Sequence, residues 1–251
     1  MLWTLSADPS GRSGTDNMAI DYALLCGAQR GCGYVRLYRW CPPCLSFGRN
    51  EPAKMRYNAA KIARLGIDTV RRPTGGRAVW HDAELTYAVA APAATFGSLR
   101  ETYNIVHATL AAALRRLGVK AELAPRPSGR RPGITRGSCF SSAVGGELVV
   151  DGRKLVGSAQ IREGDAFLQH GSILLEGNQE VVEQVTQGDA VGPKATSLSA
   201  LLARSVTFSE LAGAIEAEVV ESWSGNWQIT NLTVEPVDRH RFADEAWTWR
   251  R

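Results

Sequence analysis

The sequence predicts an α+β fold, in which hairpin-joined strands build a sheet and the helices segregate from it. Three observations carry this. Asp151-Gly152 separates two apolar runs as a two-residue turn; β-branched and aromatic runs end at Pro and Gly; and two capping-box patterns precede stretches of helical period. With 251 residues, 44% of them hydrophobic, the chain can build one sizeable core, and disorder and collagen are excluded. A single domain over 1–251 is expected, its core at about 30–220, with an N-terminal helix and a C-terminal extension.

Asp16 is positioned to cap a helix over Asn17 to Ala28, where Met18, Tyr22 and Leu25 share a face and Gly27 or Gly31 ends it. Tyr34 to Trp40 reads as a strand with Val35 and Leu37 on one face, stopped by Pro42-Pro43. Asp68 to Arg72 and Leu85 to Ala90 read as two further strands around a Pro/Gly loop. Ser98 and Glu101 form a capping box, after which Tyr103, Val106, Leu110, Leu114 and Leu117 follow at helical spacing up to Gly118. The stretch 125–138 loses apolar periodicity and alternates Arg126, Arg130, Arg131 and Arg136 with Pro, Gly and Ser, which predicts an exposed cationic loop. The Asp151-Gly152 turn places Lys154 just beyond a tight hairpin, Phe167 to Leu175 reads as another strand, and Thr207 with Glu210 starts a last helix bearing Leu211, Ile215 and Val219.

The net charge of +4 allows an acidic partner but falls short of a nucleic-acid-coating protein. No apolar run approaches the roughly 20 residues of a membrane helix. The first 22 residues carry neither a basic leader nor a continuous apolar core, which predicts a cytoplasmic protein. Five cysteines leave at least one thiol unpaired. Cys26, Cys32, Cys41 and Cys44 lack two tight ligand pairs, so no metal is predicted and the four are read as buried small hydrophobes.

Arg71 to Asp82 carries more chemistry. Paired glycines let a backbone approach a ligand, and flanking arginines donate to an anion, although neither the phosphate-loop nor the dinucleotide pattern is matched. Residue types alone leave a ligand loop and a basic turn with His81 hydrogen-bonded inside equally open. Cys139 follows the Arg-rich stretch, and nearby cations can raise its thiolate fraction; an inert core cysteine is the alternative. Lys154 is a candidate cation for that thiolate or for an oxyanion, and His170 is a second candidate partner for Cys139.

Taken in order, RRPTGGRAVWHDAELTYAV, then CF, ELVVDGRKLVGSAQ and FLQHGSILL, together with PCLSFGR and the closing AWTWRR, resemble the biotin/lipoate A/B protein ligase family over nearly the whole chain. Within it, the octanoyltransferases that draw on acyl carrier protein are most similar. The resemblance implies a mostly antiparallel mixed sheet flanked by helices. It implies catalytic roles for Cys139, the nucleophile in the loop before the lysine hairpin, and for Lys154. It also implies an acyl pocket formed by Arg72, Gly75, Gly76, Arg77, His81, Gly157, Ser158, Ala159 and His170. A branch that carries its cysteine after the lysine does not fit, because 161–170 contains none. The implied partners are octanoyl acyl carrier protein as donor and a lipoyl domain or glycine-cleavage H protein as acceptor, with no nucleic acid, membrane or cofactor. An ATP-dependent lipoate ligase and a noncatalytic acyl-binding homologue are the alternatives. Arg77 replaces a glycine common in such ligases, and Val144-Gly145-Gly146 departs from the family pattern.

Overall fold

The structure, a computed structural model, describes residues 1–124, 147–188, 195–232 and 234–250. The chain begins with β1 (Leu2–Arg12), α1 (Gly14–Ala28), β2 (Gly33–Trp40) and β3 (Cys44–Phe47). Two short helices, α2 (Ala53–Arg56) and α3 (Ala59–Arg64), lead into β4 (Asp68–Arg71), β5 (Val79–His81) and β6 (Glu84–Pro92). Then come α4 (Leu99–Arg116), β7 (Glu122–Leu123), β8 (Leu148–Val150), β9 (Arg153–Lys154), β10 (Val156–Glu163) and β11 (Ala166–Leu174). The remaining elements are α5 (Glu180–Val185), α6 (Leu198–Leu202), α7 (Phe208–Ser222), β12 (Asn226–Ile229), α8 (Arg239–Ala243) and α9 (Glu245–Thr248).

Six strands form the main sheet in the order β10-β11-β6-β2-β1-β12. The pairings β10/β11, β11/β6 and β6/β2 are antiparallel, whereas β2/β1 and β1/β12 are parallel, giving the mostly antiparallel mixed sheet that the resemblance implied. Both faces are covered, so the central strands β6 and β11 are buried almost throughout. On one face Val35, Leu37, Tyr87 and Val89 pack with Val106, Leu110 and Leu114 of α4 and Leu211 and Ile215 of α7. On the other, Tyr38, Trp40, Ala88 and Leu168 meet Met18, Leu24 and Leu25 of α1. A second sheet, β4-β3-β5, has its own core of Leu45, Phe47, Tyr57 and Ile62.

Local signals hold where chemistry is local. Ser98 and Glu101 complete the reciprocal capping box of α4, and Gly118 follows at φ +88°. Asp151 and Gly152 adopt φ 49° and 71°, as a type I′ turn requires. Thr207 caps α7, while Glu210 pairs with Arg204 instead of closing a box. The cap of α1 differs from expectation. Ser13 accepts from the Asp16 amide and the helix starts at Gly14, because the Asp16 carboxylate is held by the Ser13 hydroxyl and Arg239. Strand β1 was not expected: Trp3 and Leu5 alternate into the core, and Pro9 and Gly11 are accommodated by a register shift against β2 between Asp8 and Arg12. The cysteine expectation also needs correction. Cys44 is buried and its thiol is pushed well up by that burial, but Cys41 lies exposed beyond the end of β2, and Cys26 and Cys32 are half-buried. The arginine loop and Cys139 lie outside the described residues.

Candidate active site

A small cavity opens on the α1 side of the main sheet, at the junction with the smaller sheet. Its wall includes Tyr38 and Trp40 from β2, Val79 and His81 from β5, Arg72, Gly157 to Ala159 of β10, and His170 and Ser172 of β11. The pairing of Ala159 with His170 and of Gly157 with Ser172 brings the last two sets together.

Two buried histidines stand in the wall, each held by a carboxylate and a hydroxyl. His81 Nδ1 donates to Glu84 Oε1 at 2.7 Å, its Nε2 shares a hydrogen bond with Ser46 Oγ at 2.6 Å, and its ring stacks on Trp40 at 3.9 Å. Glu84 also accepts from the hydroxyls of Thr86 and Ser172, and Thr86 in turn accepts from Trp40 Nε1 at 2.8 Å. His170 Nδ1 donates to Asp21 Oδ2 at 2.9 Å, while Thr74 Oγ1 donates to its Nε2 at 2.6 Å. Each ring is thereby held at both nitrogens, with the carboxylate orienting Nδ1.

Asp21 comes from the middle of α1 and is fully buried. Burial pushes its pKa up, but donation from His170, the Arg36 guanidinium at 2.8 Å and the Tyr38 hydroxyl at 2.8 Å outweighs that, leaving the carboxyl below its usual range. Burial pushes His170 below the ordinary imidazole value, against the pull of Asp21. A neutral ring that donates at Nδ1 and accepts at Nε2 satisfies both contacts.

Arg72 lies on the cavity wall with its guanidinium engaged by the chain around it. Nη1 donates to the Ser46 carbonyl at 2.8 Å and the Ser46 hydroxyl at 2.5 Å, and Nη2 to the carbonyls of Gly75 and Arg77 at 3.1 and 2.8 Å. It therefore shapes the glycine loop. Gly75, Gly76 and Arg77 stand outside the cavity wall itself. Gly76 has φ +90°, and a Cβ on Gly48 would collide with the Gly76 carbonyl, so the glycines here serve a close backbone approach.

Lys154 projects from β9 and is 1% exposed, with Nζ donating to Glu147 Oε1 at 2.6 Å. The carboxylate compensates a charge that burial would otherwise make costly. Lys154 precedes Gly157 by three residues, about 10 Å of extended chain, so the ammonium and the cavity wall belong to one continuous stretch. Sequence reasoning missed Asp21, Trp40, Glu84 and Glu147. A signal existed for Asp21, a lone acid among the apolar positions of α1, and for Glu147, an acid immediately before the strand that pairs with β9. Among the described residues, no group of three or more His, Cys, Asp or Glu is placed to hold a metal ion.

Comparison with known proteins decides the family. The lipoyl protein ligase A/B catalytic domain matches residues 13–220. The chain belongs to this family. Octanoyltransferase LipM of Carboxydothermus hydrogenoformans is 31% identical over 95% of this chain and 95% of its own length. Octanoyltransferase LipM of an Exiguobacterium species is 33% identical over 100% of this chain and 98% of its own. With such full-length relatives, this lipoyl protein ligase A/B domain is an acyltransferase. Its fold matches a crystal structure of lipoate-protein ligase A bound with ATP, with TM-score 0.78 at 18% identity over 99% of both chains. A putative lipoate protein ligase from T. acidophilum with bound lipoic acid gives TM-score 0.77 at 17% identity, over 99% of this chain and 100% of that one. Among the described residues, no helix is long and apolar enough to cross a membrane.

Proposed function

We propose that this acyltransferase moves an octanoyl group from the thioester of an acyl carrier protein onto Cys139, and from Cys139 to the ε-amine of a lysine on a lipoyl domain or glycine-cleavage H protein, within lipoate biosynthesis. The observation that carries this reading is the full-length similarity to octanoyltransferases. The cavity beside the Lys154 strand supports it, since Trp40, Val79 and Gly157 in its wall offer apolar surface against which an acyl chain can lie.

In the first step the Cys139 thiolate adds to the thioester carbonyl, the tetrahedral oxyanion collapses, and the carrier leaves as its thiolate. In the second the acceptor amine adds to the acyl-enzyme, Cys139 leaves as thiolate, and the amine gives up a proton to form the amide. Thioester exchange is nearly isoenergetic and amide formation is downhill, so no ATP is consumed and no cofactor takes part. Lys154 donates to the oxyanion in both steps, steadied by Glu147. The acyl chain lies against Trp40, Val79 and the glycine-lined segment at Gly157, and the hydrogen bonds at both nitrogens of His81 and His170 keep the wall rigid. Arg126, Arg130, Arg131 and Arg136 supply positive charge before Cys139 to attract acidic protein substrates.

Intact-mass measurement after incubation with octanoyl acyl carrier protein tests the reading. The expected product is a hydroxylamine-labile octanoyl adduct that disappears in Cys139→Ala and passes to a lipoyl domain without ATP. Modification that requires lipoate and ATP and survives Cys139→Ala would replace it with an adenylating ligase. Neither product would point to a noncatalytic binder.

A further inference from the structure

Adjacent arginines at the end of β4 face two different parts of the molecule, as successive strand residues must. Arg72 holds the glycine loop. Arg71, fully buried, holds a segment far away in sequence: its Nε donates to the carbonyls of Trp247 and Thr248 at 2.9 and 3.0 Å, and Nη2 to that of Arg250 at 2.9 Å. Its Nη1 turns to the 48–51 turn, donating to the carbonyls of Gly48 at 2.6 Å and Glu51 at 2.8 Å. A guanidinium spent on backbone carbonyls of two separate segments acts as a clamp, and burial makes each of those bonds costly to lose.

The same two segments meet again. Trp247 Nε1 donates to the Arg71 carbonyl at 3.1 Å, the Arg250 guanidinium lies 3.8 Å over the Trp247 ring, and Arg250 donates to the Arg49 carbonyl at 2.6 Å. From this turn the contacts run on into the cavity. The Arg49 amide donates to the Thr74 carbonyl at 2.7 Å, Thr74 Oγ1 donates to His170 Nε2, and Gly48 sits where any Cβ would strike the Gly76 carbonyl.

We propose that residues 245–250, which lie beyond the matched family domain, are a positioning element of the acyl site, acting through Arg71 and the 48–51 turn on the glycine loop that carries Arg72 and Thr74. This rests on the assignment of the cavity as the acyl site. Trp247 and Arg250 are positioning residues; neither lines the cavity.

The test compares the full chain with a chain stopped after Asp244, with Trp247→Ala and with Trp247→Phe. For the shortened chain and Trp247→Ala, KM for the octanoyl donor is expected to rise roughly tenfold with kcat within about twofold, because ground-state fit and not chemistry is lost. Trp247→Phe, which keeps a ring under Arg250, should recover most of the loss. Hydrogen exchange needs no substrate. The amides of 74–77 should exchange faster in the shortened chain while β6 and β11 stay protected. Unchanged KM and unchanged exchange at 74–77 would overturn the proposal, as would faster exchange spread evenly over β6 and β11. If the shortened chain does not fold, Arg250→Ala removes the donor to the Arg49 carbonyl and must show the same shift at 74–77. A full chain that transfers no octanoyl group would refute the acyl-site assignment, while the exchange arm would still report on the brace.

Discussion

The Lys154–Glu147 pair offers the sharpest test of how the site is built. The two side chains are 1% and 5% exposed with N···O at 2.6 Å. At an effective dielectric near 20 their attraction is about 6 kcal/mol, most of which offsets the desolvation of two buried ions. Removing one partner therefore does not merely delete a contact; it takes away a compensating charge from a buried ion. Glu147→Leu is expected to destabilise the fold by about 3–5 kcal/mol, or roughly 6–20 °C in melting temperature for a domain of this size. Lys154→Met combined with Glu147→Leu should return stability to within about 1 kcal/mol of the parent, since matched apolar groups can replace a buried pair at little cost. Activity should separate from stability. Lys154→Met and the stable double variant should both lose a factor of about 10²–10³ in octanoyl transfer, the range expected for an oxyanion donor. Urea unfolding and intact-mass turnover provide the two readouts. A Glu147→Leu cost below about 1 kcal/mol would refute the buried-pair argument. A double variant that transfers octanoyl at the parental rate would refute the role given to Lys154.

Two other perturbations address the cavity wall. Asp21 has a depressed folded-state pKa, so its contribution is present above the unfolded value of about 3.9 and is lost as pH falls towards the folded value. His170, also depressed, resists protonation in the fold, so its contribution is present above about 6.5 and fades as pH falls below it. Asp21→Asn should be less stable at pH 7 by about 3–5 kcal/mol, because it strips the carboxylate from buried Arg36, and should show a flatter stability curve below about pH 4. Urea midpoints across pH 7 to 3 would show it, and an unchanged acid slope would count against the assignment. Gly171→Ala would put a Cβ 2.5 Å from Ser158 Oγ and 2.7 Å from both the Gly157 carbonyl and Tyr87 Cε1. We expect a cost of about 1–3 kcal/mol and a higher donor KM as the cavity wall shifts; parental stability with parental KM would sink this view.

What could be read from the sequence follows the range of the forces involved. The Asp151-Gly152 turn and the Ser98 box are decided within a few residues, by positive φ and by a hydroxyl within reach of an amide, so local spelling suffices. The parallel pairing of β1 with β12 joins Trp3 to Trp227, and the Asp21–His170 contact spans 149 residues; no local pattern specifies such partners. Arg71 and Arg72 show a second kind of ambiguity. Arginines beside paired glycines can serve an incoming anion or the backbone itself, and the residue types are the same in both cases. The structure turns four Arg72 contacts onto Ser46, Gly75 and Arg77, and Arg71 onto carbonyls of two distant segments. A glycine loop without side chains has no packing of its own to hold its shape, so a rigid multidentate donor must supply it. The sequence signal that suggested ligand binding is thus also the signature of the scaffold that makes binding possible, and only the direction of each guanidinium separates the two.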